Sequence, residues 1–146
     1  MSRKKVIIQN QKWESTKARG QKFTKICDDM QESKAWKELT LRQQGLYLLL
    51  KKKYIKRPDD SDNAEDIHIT NQDIKNTKLS KNSVMYDLDE LINKGFIKVK
   101  YHGKLARKPN IYAFSDNWTK YGTDEFFIHP NDKRLTKKNS IPFNDE

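Results

Sequence analysis

The sequence predicts an α+β fold in the order helix, strand, helix, turn, helix, strand, strand, flanked by a basic N-terminal arm and a C-terminal extension. Three observations predict it. Thr40 and Thr70 stand three residues before Gln43 and Asp73, the spacing at which a hydroxyl caps a helix while the later side chain reaches back. Val84, Leu88, Leu91 and Ile92 recur at i, i+4, i+7 and i+8, one face of a helix that Gly95 can stop. Residues 96–101 and 110–115 then alternate with period two, as strands do.

Residues 1–22 carry seven cations (Arg3, Lys4, Lys5, Lys12, Lys17, Arg19, Lys22) against one acid, Glu14, and read as a flexible basic arm. Phe23, Ile26 and Met30, followed by Ala35, Trp36 and Leu39, predict short helical turns that cap the domain with aromatics. Leu41, Leu46, Tyr47, Leu48, Leu49, Leu50, Tyr54 and Ile55 supply a wide apolar face, predicting a helix over 41–56 that Arg57 and Pro58 end. Gly45 within it is read as permitting close helix packing. Residues 59–66 are acidic and nonperiodic, an exposed loop expected to point away from any phosphate.

Ile67, His68, Ile69 and Thr70 form a short β-prone stretch, expected as a single edge strand. A helix over 71–77 follows with Ile74 as its buried residue, then a turn through Asn76, Thr77, Lys78 and Leu79. Ser80 caps the next helix, in which Glu90 and Lys94 form an i, i+4 pair. Trp118, Tyr121, Phe126, Phe127 and Ile128 make an aromatic extension that either folds back or pairs two copies, closing a domain over 23–128. Residues 129–146 read as a polar tail.

Residues 40–115 resemble the winged helix-turn-helix family of DNA-binding domains. The resemblance rests on the strand at 67–70, on Asn71, Gln72, Asp73 and Ile74 opening the helix before the turn, and on residues 80–94 in the position of a recognition helix. The run from Leu88 through Asn93, Lys94 and Gly95 to Ile97 is similar to that family's junction between helix and wing. It implies sequence-specific binding of double-stranded DNA, in a transcriptional regulator or an origin-binding accessory protein of plasmid or phage replication or conjugative transfer.

The residues argue the same way. Burying Val84, Leu88, Leu91 and Ile92 leaves Asn82, Tyr86 and Asn93 outward, as a major-groove helix requires. Lys81, Asn82, Ser83 and Tyr86 are the candidates for base edges and phosphates, with Lys78 in the preceding turn. Between Lys94 and Lys108 stand Lys98, Lys100, Lys104 and Arg107 and no acid, so this hairpin is expected to grip a phosphate flank, with Arg107 at a minor groove. The formal net charge of +10 favours a polyanionic partner. Two other classes stay open: a protein-interaction module docking an acidic partner, and RNA binding. Trp36, Trp118 and Tyr121 are read as core or interface rather than base-stacking residues.

No catalytic constellation is found. Cys27, His68, His102 and His129 are too dispersed for metal ligation, and five glycines form no phosphate-cradling loop. The only dense carboxylates, within 59–66, lie in a loop. The expectation is no enzyme, no cofactor and no metal. The single cysteine forms no intramolecular disulfide, and no apolar run reaches the roughly 18 residues of a membrane span. With too few apolar residues near Met1 for a signal peptide, a cytoplasmic location is expected. Double-stranded DNA is the expected partner; a homodimer and other proteins of a nucleoprotein complex are left open, and no membrane is involved.

Overall fold

Thr40 and Thr70 both close the capping boxes that their spacing predicts, each hydroxyl accepting the backbone N–H three residues on while Gln43 and Asp73 accept from the capping backbone. The computed structural model describes residues 23–135. The basic arm over 1–22 and the end of the tail, 136–146, lie outside the described residues. The described chain is mixed α+β: α1 (Asp28–Glu32), α2 (Lys34–Lys37), α3 (Leu41–Lys52), α4 (Asn71–Thr77), α5 (Lys81–Asn93), β1 (Ile97–Tyr101) and β2 (Ile111–Phe114). β1 and β2 form an antiparallel hairpin with an irregular register between Val99 and Tyr101.

α5 is the pivot. It turns Val84, Leu88, Leu91 and Ile92 inward against Leu46, Tyr47 and Leu50 of α3, with Phe96, Ile97 and Val99 following from the hairpin. Each buried aliphatic contributes roughly 1.5–3 kcal/mol, against about 1 kcal/mol for a capping side chain, so packing rather than capping holds α5 in place. Gly95, at φ +86°, stops the helix in the left-handed region, and a Cβ there would lie 2.6 Å from the Trp118 nitrogen. Lys94 meets Glu90 at 3.0 Å as predicted.

Two expected elements are shorter. α3 ends at Lys52 rather than at 56, because Asn63 takes over the chain beyond it: its amide donates to the Lys53 carbonyl (2.8 Å) and its oxygen accepts from the Ile55 N–H (2.7 Å). Ile55 is consequently exposed instead of adding to the apolar face. The strand at 67–70 reduces to one bridge, Ile67 to Tyr112, because Thr70 is already committed to capping α4. α4 has no fully buried residue; Ile74 is half-buried at the core's edge.

Aromatic packing explains the two ends of the described chain. Trp36 meets Tyr47 and Phe96 edge-on, each at 5.8 Å, while Trp118 stacks on Phe96 at 6.1 Å and 9°. The extension therefore folds back on its own domain, with Tyr121 and Ile128 also against the core. The polar tail does not begin at 129: a 3-10 turn at Pro130–Asp132 lies along β1, with His102 Nε2 2.6 Å from the Asn131 carbonyl oxygen. Among the described residues Gly45 serves no close packing, since a Cβ built there meets nothing within 4 Å.

Candidate nucleic-acid interface

The outward side of α5 is built at its first turn. Ser80 accepts the Ser83 N–H and donates to the Ser83 hydroxyl, so Ser83 is half-buried and engaged in the cap. Lys81 and Asn82 are exposed beside it, and Tyr86, one turn on, is 59% exposed. Lys78 ends α4 in the left-handed conformation (φ +60°) and is also exposed.

The basic hairpin divides its cations between two sides. Lys98 and Lys100 alternate with the core-facing Ile97 and Val99, which places them on the sheet face turned away from α5. Lys100 there meets Glu65 at 3.5 Å. The acidic loop thus approaches the hairpin, and the separation of sign along the chain does not hold in space at this lysine. At the tip, Gly103 is buried and a Cβ would overlap the Lys108 carbonyl oxygen, so this tight turn requires glycine. The turn projects Lys104, Arg107 and Lys108 into solvent, Arg107 at φ +54°.

Helix and hairpin tip meet across a pocket of about 300 Å³. Lys81 comes from α5, Lys104 and Lys108 from the tip, and Asn71 from the start of α4, over a floor of Ile69, Ile74, Met85 and Tyr112. Among the described residues no carboxylate lines it. Three amines around one hollow make a surface suited to an anion, while Asn82 and Tyr86 continue the same helix as a neutral hydrogen-bonding strip. Burial pushes the Tyr112 hydroxyl above its ordinary value, keeping the floor uncharged. Lys81, Lys104 and Lys108 are thus brought together with the Asn82–Tyr86 strip alongside; Lys98 and Lys100 are not, and Arg107 lies outside the pocket lining. No protein-family profile, curated protein or solved structure matches this chain.

Arg134, which also lines the pocket, escaped the sequence reading. It grips Asp89 through two bonds of 2.8 Å, and Asp89 is seven residues from Asn82 on the same outward side of α5. Burial works against the guanidinium's charge, but the bonds to Asp89 and its negative charge outweigh it and hold Arg134 above its ordinary value. The only sequence signal was that Asp89, unlike Glu90 with its Lys94, has no cation three or four residues away on α5, which calls for one from elsewhere without saying which. A second ion pair supports α5 from behind: fully buried Asp87 accepts from Arg42 at 2.6 and 3.0 Å and from Gln43 at 3.3 Å. Among the described residues no cluster of three or more His, Cys, Asp or Glu could hold a metal, and no helix is long and apolar enough to cross a membrane.

Proposed function

We propose that this chain binds double-stranded DNA as a winged helix-turn-helix module, without catalysis. α5 reads the major groove through Asn82 and Tyr86, and the 97–114 hairpin is the wing. One observation carries the reading: Lys81 of the helix and Lys104 and Lys108 of the hairpin border a single pocket that no acid among the described residues lines, which favours both elements addressing one surface. Asn can bond an adenine edge bidentately and Tyr can meet a thymine methyl or donate to phosphate, while the lysines neutralise the flanking backbone. The role that suits this surface is transcriptional regulation or the marking of an origin for replication or transfer.

The test is competition binding by fluorescence anisotropy at two salt concentrations, with random duplex, duplex from the neighbouring genes and from origin regions, and single-stranded RNA. Preference for one duplex supports the reading; tighter binding to RNA overturns it. Asn82→Ala with Tyr86→Ala should cost roughly 1–3 kcal/mol on the preferred duplex and little on random DNA. Arg107→Ala with Lys108→Ala should weaken every duplex and lower the slope of log K against log salt by about 2. Equal losses on all sequences from both pairs would show that α5 reads no bases.

A further inference from the structure

The tip of the hairpin holds Leu105, at 90% the most exposed large apolar side chain among the described residues. A surface leucine by itself is ordinary; the setting of this one is not. Lys104 precedes it, Arg107 and Lys108 follow, and all three are exposed. Of the acids that neighbouring elements bring near, Glu65 meets Lys100 and Asp89 meets Arg134, while the 3-10 turn along β1 adds Asp132 next to Lys133. Lys104, Arg107 and Lys108 have no acid partner among the described residues. The turn is also closed at both ends. Gly103 donates its N–H to Asn110 Oδ1 (2.9 Å), its carbonyl accepts from Ala106 (3.0 Å) and Lys108 (2.8 Å), and the Lys104 carbonyl accepts from Arg107 (3.1 Å). Arg107 stands at φ +54°, where glycine would be easier, and left-handed backbone of this kind gathers at ligand clamps. The leucine is therefore carried on a fixed knuckle, not on a loop that a partner must first order.

We propose that Leu105 is a wedge that enters the minor groove and opens one base step, so that the chain bends the duplex it binds. The wedge presupposes the winged-helix reading above and adds bending to it. With α5 in the major groove, a sugar–phosphate strand held over the pocket runs between Lys81 on one side and Lys104 and Lys108 on the other, and the tip meets the adjoining minor groove. Leu105 and Arg107, which do not line the pocket, are then the residues available to that groove. Insertion of this kind uses an apolar side chain set among cations: the cations hold the phosphates while the leucine fills the gap between unstacked bases.

Magnitudes favour a base step over a lipid surface, the other anionic partner that a basic tip with one leucine could meet. Burying one leucine is worth about as much as unstacking one step costs, so a single side chain suffices. The same burial is far less than that of a myristoyl chain, which alone gives only marginal attachment to a membrane.

The test is ligase-catalysed ring closure of an A/T-rich duplex of about 120 base pairs, shorter than the ~150 base pairs over which DNA stays straight, in the presence of the full chain. Affinity is read by anisotropy on a duplex of about 20 base pairs and on a copy with one central T·T mismatch. Closure should speed up about tenfold, and the mismatched copy should bind about tenfold tighter because part of its unstacking is already done. Leu105→Ala, at an exposed position, should keep the circular dichroism spectrum and the salt slope, lose most of the acceleration and prefer the mismatch by less than about twofold. Leu105→Met should keep both signals. Leu105→Lys should bind at least as tightly as the native chain and accelerate no closure. A chain that binds no duplex overturns the winged-helix reading and the wedge with it. One that binds duplex salt-dependently without speeding closure, or speeds it equally as Leu105→Ala, overturns the wedge alone. Binding to phosphatidylserine vesicles that Leu105→Ala abolishes, with ring closure unaccelerated, would give the leucine to a lipid surface and overturn the wedge as well.

Discussion

Asp87 is the side chain on which the back of α5 most depends, because it is a fully buried carboxylate held by one arginine and one amide. The two ends of that pair are not equivalent. Arg42 is 46% exposed and can be rehydrated on losing its partner, whereas Asp87 cannot. Arg42→Ala therefore leaves a buried charge with Gln43 alone and should cost roughly 3 kcal/mol in urea unfolding. Arg42→Lys should recover only part of that loss, since an ammonium cannot reproduce the two-pronged contact. A loss below about 0.5 kcal/mol for Arg42→Ala would mean that the pair is no more than a surface contact.

At the scale of elements, Asp73 shows how one side chain joins two helices. It accepts the Thr70 N–H at the start of α4 and meets the Lys53 ammonium, at the end of α3, at 2.7 Å. Burial pushes its carboxyl up, but the bonds from Lys53 and Thr70 outweigh burial and hold it below the usual aspartate value. The unfolded chain then takes up the proton first, so the contribution to stability is complete above about pH 4 and fades as the pH falls through the lower folded value. Asp73→Ala should cost about 1 kcal/mol at pH 7 and clearly less at pH 3, read as the change in urea midpoint. Capping signatures of this kind were legible in the sequence because they are local, as were the inward residues of α5, its stop at Gly95 and the hairpin. What was not legible joins polar residues far apart in the chain: Asn63 ending α3, Arg42 on Asp87, Glu65 on Lys100 and Arg134 on Asp89. No periodicity marks such pairs. The apolar pattern of α3 also promised one wide face, and the chain buries only one of its two sides.

For the whole molecule, the return of residues 129–135 matters most. They run along β1 and end with Arg134 on α5, tying the hairpin and the outward helix to one strap. Arg134→Ala should free the strap, raising amide hydrogen exchange over 129–135 and β1, and should leave the Asp89 charge uncompensated beside Asn82. If DNA lies on that side, the variant weakens binding to all duplexes alike; unchanged affinity would place the duplex elsewhere. The same far-reaching closure is visible in the aromatic centre, where Trp36 and Trp118 press on one phenyl ring, Phe96, from opposite ends of the described chain. With Trp13 changed to Phe, the remaining indole emission comes only from these two. Its red shift on heating then becomes an optical gauge of cooperativity: one step coincident with loss of ellipticity means both ends let go together, and two steps mean that one end peels away first.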